Sequence, residues 1–148
     1  MDAVEYVASQ RPFVVRRRVR WGECDPAGVV YTGRFTDYLL SAVMLFMDDL
    51  MGGPSEQYRA AHGIQTPCKG MSLLFQSALW PADVFEMHVR VGEIRGSSFD
   101  LMVTAAKPDG TPVFEGKFSP ICIPATERRS IPIPPDLKGR LEAAERAR

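Results

Sequence analysis

Residues 35–51 read FTDYLLSAVMLFMDDLM, and this stretch predicts one long helix. Apolar side chains recur every three or four residues along two adjacent stripes, one beginning at Phe35 and the other at Leu40. Two adjacent apolar stripes leave little polar surface, so we expect a helix that protein surrounds on most sides. Gly52-Gly53-Pro54 ends the pattern, and Thr32 or Gly33 is placed to cap its start.

The segments on either side of this helix have strand patterns. Residues 13–21 alternate between apolar and basic side chains, with Arg17 as the exception on the apolar side. Four further strand segments follow Gly63, at 72–79, 85–91, 99–106 and 113–123. A long buried helix needs a surface to wrap it, so the order predicts an α+β domain with a curved antiparallel sheet. Residues 136–148 read as a charged terminal helix that we expect to be loosely held.

The composition indicates a single globular domain over residues 1–148. Eighteen basic and 18 acidic residues cancel, which argues against nucleic acid or an anionic membrane as the main partner. The three cysteines form no CxxC or Cys/His cluster, so we expect neither a disulfide framework nor a zinc site, and a cytoplasmic location. We also expect no membrane span, because no apolar run approaches the roughly 18 residues required.

The loop ahead of the helix carries the clearest chemical signal. Asp25 lies in the segment Cys24-Asp25-Pro26-Ala27-Gly28, a few residues before the helix starts. The first N–H groups of a helix have no internal acceptor, so a carboxylate and free donors meet here. That pairing suits acyl transfer: the donors stabilise a developing negative oxygen, while the carboxylate attacks the carbonyl or activates water. The spacing alone equally allows a structural Asp25 that only forms an Asx-turn.

The sequence around Asp25 resembles a known family. Residues 21–31, WGECDPAGVVY, are similar to the signature of the 4-hydroxybenzoyl-CoA thioesterase family, whose members are hot-dog-fold acyl-CoA thioesterases. The similarity continues through the helix, through residues 63–67 (GIQTP), through 93–99 and into the Ile-Pro-rich tail. It therefore covers nearly the whole chain.

The resemblance implies a fold, an assembly and a reaction. The expected fold is a five-stranded antiparallel sheet wrapped around one central helix, and two such subunits pair edge to edge into a homodimer that commonly stacks into a homotetramer. Asp25 would be the catalytic nucleophile or general base. The backbone N–H groups of Thr32 and Gly33 would polarise the thioester carbonyl.

The resemblance also implies a substrate pocket between subunits. Tyr31 would line the acyl pocket together with Thr66 and Pro67 of the neighbouring subunit. Basic residues near the turn between the third and fourth strands would bind the CoA phosphates. This chain reads Arg95-Gly96-Ser97 at that turn, so Arg95 is its one basic residue there, and Lys69, Arg90 or the basic row 16–20 are further sources of positive charge. No metal ion and no cofactor are expected, because the CoA thioester is itself an activated substrate.

Several alternatives remain beside hydrolysis of an aromatic or short acyl-CoA. A hot-dog hydratase would need an Asp-x-Asn-Pro-x-His motif, which the chain lacks. A non-catalytic acyl-CoA-binding module is the other alternative, although such a module would not need Asp25. A further branch of hot-dog thioesterases uses a helical Glu, and residues 35–51 contain none. We expect no catalytic role for the remaining candidates, which are Cys24, His62, His88, Asp37, Asp48 and Asp49.

Overall fold

Helix α1 (Arg34–Met51) occupies the centre of the fold in the computed structural model, which describes residues 3–147 of the chain. Its buried side chains include Phe35, Leu39 and Leu50 on the first predicted stripe, and Met47 on the second. Met44 is the exception, with 63% of its surface exposed. The helix is therefore covered on most sides, as the double stripe predicts, but open around Met44.

An antiparallel sheet wraps α1. The strands within residues 3–147 are β1 (Glu5–Gln10), β2 (Phe13–Arg18), β3 (Ile64–Gln65), β4 (Cys68–Phe75), β5 (Val84–Ile94), β6 (Phe99–Ala106), β7 (Pro112–Pro120) and β8 (Ile123–Pro124). Six of them form one sheet in the order β1-β2-β5-β6-β7-β4, and β3 pairs with β8 separately. The apolar sides of β5 and β6 face α1 and bury Phe85, Met87, Leu101 and Val103.

The sheet has one strand more than the five expected. The additional strand, β1, pairs antiparallel with β2, so that Glu5 lies opposite Arg17 and Gln10 lies opposite Phe13. Most side chains of β1 are exposed, so its sequence lacks the apolar alternation that marks a half-buried strand. The other five strands, β2-β5-β6-β7-β4, form the expected sheet around the helix, and the predicted α+β hot-dog arrangement is confirmed.

Two helices complete the fold at the far end of α1. Helix α2 (Ser55–His62) starts where Asp48 Oδ1 accepts the Ser55 N–H at 2.8 Å. Helix α3 (Pro135–Arg146) contacts α1 and β5 and buries Leu137 and Leu141 completely. This packing differs from the expected loosely held helix, because two leucines four residues apart form an apolar stripe within a charged segment. Residues 1, 2 and 148 of the predicted domain lie outside the described residues.

The buried apolar residues of the described chain, except Val14 and Ile123, form one core cluster, which extends from β2 to α3. No helix within residues 3–147 combines the length and the apolar character needed to cross a membrane.

Candidate active site

The Asp25 loop (residues 24–33) joins a short 3-10 turn, Trp21–Glu23, to the start of α1. Its two arms meet in a β-bridge between Cys24 and Val30, and the Asp25 N–H donates to the Val29 carbonyl at 3.0 Å. Between the arms the chain turns sharply at Gly28, whose φ of +86° lies in the left-handed region that favours glycine. Asp25 therefore sits at the base of a tight, backbone-bonded turn.

The Asp25 side chain is half-buried and combines a structural contact with a free oxygen. Oδ1 accepts the Ala27 N–H at 2.9 Å, which forms the Asx-turn that the sequence allows. Oδ2 accepts no hydrogen bond from any residue in the described part of the chain. The turn thus occupies one oxygen of the carboxylate and leaves the other available for chemistry.

The start of α1 supplies the donors. The Arg34 N–H bonds to the Tyr31 carbonyl at 2.9 Å and the Phe35 N–H bonds to the Thr32 carbonyl at 3.2 Å. The N–H groups of Thr32 and Gly33 have no acceptor among residues 3–147. The Tyr31 ring lies over Gly33, since a Cβ added there would stand 2.7 Å from Tyr31 Cε1. The loop therefore carries four of the predicted site residues, Asp25, Tyr31, Thr32 and Gly33, and Tyr31 contacts Gly33 directly.

A turn between β4 and β5 packs against this loop. The Val30 N–H donates to the Leu79 carbonyl at 2.8 Å, and the Trp80 ring lies next to Gly28. Trp80 is 53% exposed, Tyr31 57% and Trp21 82%, so three aromatic side chains in or near the loop are largely exposed to solvent. Trp80 could not be predicted as a neighbour of the loop from the sequence, because it lies about 50 residues beyond the loop in the chain, with no local motif.

Beneath the loop lies a buried carboxylate, Glu23, with 9% of its surface exposed. Its Oε1 accepts the Arg20 N–H at 2.8 Å and the Tyr38 hydroxyl at 3.0 Å, and its Oε2 pairs with the Arg17 guanidinium. Although burial opposes ionisation, the Arg20 N–H and the Arg17 guanidinium hold the pKa of Glu23 below its usual value. Glu23 therefore stays charged at neutral pH.

Thr66 and Pro67 lie elsewhere within a single chain. They line a cavity of about 420 Å³ between α1 and β7, together with Met44, Met47 and Phe118, and neither Asp25 nor Tyr31 reaches it. Met44 lies ten residues beyond Arg34, about 15 Å along the helix axis at 1.5 Å per residue. One chain alone does not bring these two parts of the predicted pocket together.

Arg95 is held by carboxylates. Its guanidinium forms a bidentate pair with Asp100 at 2.5 and 3.2 Å and contacts Glu93 at 3.0 Å. Asp100 is buried and also accepts the Ser119 hydroxyl at 2.6 Å. Lys69 and Lys117 line the same surface depression. A phosphate bound here would share Arg95 with two carboxylates, so these lysines are the freer cations. Lys117 is not among the cations predicted from the sequence.

Most of the other titratable candidates are held by contacts with neighbouring residues. Partial burial and the neighbouring Glu23 and Asp25 raise the pKa of the Cys24 thiol, which disfavours a thiolate nucleophile. His62 stacks on Tyr58 with ring centroids 4.0 Å apart. Of the helix carboxylates, Asp48 bonds to the start of α2 and Asp49 pairs with Arg11. Within residues 3–147, no three His, Cys, Asp or Glu side chains are grouped as metal ligands would be.

Comparison with known families gives one match, to a family described as the thioesterase-like superfamily. The family model matches residues 19–141, a range that includes the Asp25 loop, α1 and the sheet from β4 to β7. None of the curated proteins matches this chain.

Solved structures with the same fold are numerous. A thioesterase-superfamily protein from Jannaschia sp. CCS1 is 27% identical, with a TM-score of 0.80 over 92% of this chain and 94% of that one. The 1,4-dihydroxy-2-naphthoyl-CoA thioesterase from Synechocystis is 17% identical, with a TM-score of 0.78 over 87% and 94%. A hypothetical protein from Staphylococcus aureus, solved in complex with CoA, is 16% identical, with a TM-score of 0.85 over 99% and 89%. At these last two identities the likeness shows the fold alone.

Proposed function

Because the chain belongs to the thioesterase-like superfamily, we propose that it hydrolyses acyl-CoA thioesters and that Asp25 is its catalytic carboxylate. The observation that carries this proposal is the position of Asp25. Its free Oδ2 lies in the same short loop as the unpaired N–H groups of Thr32 and Gly33. A carboxylate and a pair of preorganised donors are the groups that acyl transfer requires.

In the proposed reaction the thioester carbonyl oxygen accepts hydrogen bonds from the Thr32 and Gly33 N–H groups. These donors stabilise the negative charge that the oxygen gains as the carbonyl carbon becomes tetrahedral. Asp25 either attacks that carbon and expels the CoA thiolate, leaving a mixed anhydride that water hydrolyses, or takes a proton from the attacking water. Both routes consume one water and release the free acid and CoA thiol, and neither requires a metal ion or a cofactor.

The acyl group is proposed to bind between two subunits. Tyr31 lies beside the donors, while Thr66 and Pro67 line a cavity some way along α1, so a complete pocket needs these residues from a second copy. Strand β4 is an edge of the sheet and exposes Met71, Leu74 and Phe75. An open edge with apolar side chains invites pairing with another strand. We propose a homodimer through β4, and stacking of dimers into a homotetramer remains a prediction.

Leu74→Lys is expected to convert the dimer into a monomer, because a charge on an edge strand opposes strand pairing. Leu74 is 59% exposed in the single chain, so the substitution leaves its fold intact. The monomer should lose at least about tenfold in kcat/KM, since its pocket is incomplete. Analytical ultracentrifugation at micromolar concentration measures the assembly. Val7→Lys, on the opposite edge strand β1, is the control, and a fully active monomer would contradict the proposed pocket.

A panel of acyl-CoA substrates tests the function and its selectivity together. We expect continuous release of CoA thiol, with kcat/KM for benzoyl-CoA above that for palmitoyl-CoA, because Tyr31 and Trp80 offer flat apolar surface near Asp25. Burial of a whole aromatic ring contributes about 2–3 kcal/mol, at roughly 25 cal/mol per Å², whereas one exposed phosphate contact contributes less than about 1 kcal/mol. The aryl-CoA substrate in the name of the Synechocystis structure supports this class. A tenfold preference for the long chain would overturn the selectivity, and absence of release from every thioester would overturn the function.

A non-catalytic acyl-CoA-binding module is the second candidate. The Asx-turn gives Asp25 a structural contact that does not depend on catalysis, and this observation favours the alternative. Such a module would bind a thioester without consuming it. Calorimetric binding of an acyl-CoA together with an unchanged thioester absorbance would therefore identify it. We also propose a cytoplasmic location, which the free thiols of Cys24, Cys68 and Cys122 support.

A further inference from the structure

We propose that Glu23 is a positioning residue, which holds the Asp25 loop at a set distance from the start of α1. The inference rests on the proposed function, because it concerns how that same site is assembled. Glu23 does not touch the substrate in this proposal. It acts on the geometry between Asp25 and the N–H groups of Thr32 and Gly33.

The Glu23 side chain joins three parts of the fold. Oε2 pairs with Arg17 on β2, and Oε1 accepts both the Arg20 N–H and the Tyr38 hydroxyl of α1. Tyr38 is fully buried and lies four residues beyond the first residue of the helix, so it marks the position of the first helical turn. A movement of the loop away from α1 would break the bonds to Tyr38 and Arg17 together.

The backbone of Glu23 binds the other arm of the loop. Its carbonyl accepts the Tyr31 N–H at 3.0 Å, and Tyr31 directly precedes the two proposed donors. Asp25 is two residues beyond Glu23 on the first arm. The same residue therefore anchors the arm that carries the carboxylate and the arm that leads into the donors.

Charge opposes displacement of this anchor. The Arg17 guanidinium lies between Glu23 and Glu5, 3.5 Å from the latter, and 4.7 Å from the centroid of the Tyr38 ring. Charges removed from water are stable only in good mutual geometry, because a displaced partner leaves an uncompensated buried ion. The carboxylate, the guanidinium and the phenol thus each oppose displacement of the other two.

Such an anchor matters because the catalytic groups lie on a loop. Loops are the mobile part of a domain, whereas acyl transfer needs the nucleophile and the oxyanion donors within a fraction of an ångström of their reactive positions. A misplacement of about 1 Å costs on the order of 10²-fold in rate. Removal of the anchor should therefore lower kcat more than it changes KM, because Thr66, Pro67, Lys69 and Lys117, which would also contact the substrate, lie outside the loop.

Glu23→Gln tests this directly, with Glu5→Gln as its matched control. Both variants remove one carboxylate from Arg17, but Glu5 lies on β1, and its polar contacts within residues 3–147 are with Arg17 and the Ser41 hydroxyl rather than with the loop. We expect Glu23→Gln to lower kcat about 10- to 100-fold with KM for the best acyl-CoA within about threefold. Glu5→Gln should keep both values within about threefold. Equal kcat losses in the two variants would overturn the proposal, as would an unchanged kcat in Glu23→Gln.

A double-mutant cycle gives a second readout. In an Asp25→Asn background the carboxylate is already gone, so Glu23→Gln should cause no further loss of kcat. A full additional loss would show that Glu23 acts on something other than Asp25 and would overturn the proposal. Should Glu23→Gln fail to fold, Tyr38→Phe removes only the hydroxyl and should lower kcat several-fold. Its control is Tyr58→Phe, another buried tyrosine bonded to a carboxylate, Asp136, at 2.6 Å.

The activity of the wild-type protein distinguishes failure of the proposed function from failure of the proposed role of Glu23. If it hydrolyses no acyl-CoA, the proposed function fails before any variant is compared. If it turns over and the Glu23 variants match it in kcat, the proposed function stands and the positioning role is wrong.

Discussion

Asp25→Asn is expected to lower kcat by about 10²- to 10⁴-fold, the range that loss of a general base or nucleophile produces. The amide keeps the size of the carboxylate and can accept the Ala27 N–H through Oδ1, so the Asx-turn survives. It has lost the negative charge with which Oδ2 would attack the carbonyl or activate water. The substitution therefore removes the chemistry of Asp25 and leaves its structural contact in place.

The matched control for this variant is Asp109→Asn. Asp109 forms a similar turn, with Oδ1 accepting the Thr111 N–H at 2.9 Å, but it lies in the exposed hairpin between β6 and β7. Its kcat should equal that of the wild type. Melting temperatures of both variants should stay close to the wild-type value. An Asp25→Asn enzyme that retains half of the wild-type kcat would exclude Asp25 as the catalytic carboxylate.

The second large effect concerns stability. Arg17→Met is expected to lower the free energy of unfolding by about 3–5 kcal/mol, because removal of one partner strands a buried charge. Only 14% of the Arg17 side chain is exposed, and its guanidinium forms ion pairs with both Glu5 and Glu23. At roughly 2–4 °C per kcal/mol for a chain of this size, the melting temperature should fall by about 6–20 °C.

Arg16→Met provides the comparison on the same strand. Arg16 pairs with Glu86 at 3.4 Å, but 37% of its side chain is exposed, so this pair should contribute less than about 1 kcal/mol. Thermal or urea unfolding measures both variants.

The effect of Arg17→Met should also depend on pH. The pKa of Glu23 is lowered in the folded protein, so the contribution of Glu23 to the free energy of unfolding is present above the ordinary glutamate pKa and is lost as the pH falls through the lowered value. The difference in free energy of unfolding between the wild type and Arg17→Met should therefore become smaller in acid. Equal destabilisation by Arg17→Met and Arg16→Met would contradict a stabilising role for the buried ion pair.

Local patterns predicted the elements whose side chains face the core. Residues 35–51 were predicted as a helix, and α1 spans Arg34–Met51. Strand β6 lies at the predicted residues 99–106. Both elements bury one face against the rest of the chain, and burial imposes the period that the sequence records.

Edge strands were predicted less well, because they bury little of their surface and their sequences therefore show no clear apolar period. Strand β4 spans Cys68–Phe75, four residues earlier than the predicted segment 72–79. Its side chains are mostly exposed, whereas Leu79, which follows the strand in a turn, is fully buried. The apolar run therefore marks a turn that reaches into the core. Strand β1 gave no signal at all, since backbone bonds to β2 hold it rather than an apolar face.

The sequence by itself determined the α+β class, the central helix, and the place of Asp25 in the loop that leads into that helix, because these follow from side-chain periods and spacings along the chain. Only the tertiary structure decided what surrounds them. Arg17 stood out in the sequence as a basic residue on an apolar face, but its partners come from β1, the loop and α1. Trp80 likewise reaches Gly28 from a distant turn. Ion pairs and packing between separate elements follow from the path of the whole chain, which no local period of side chains records.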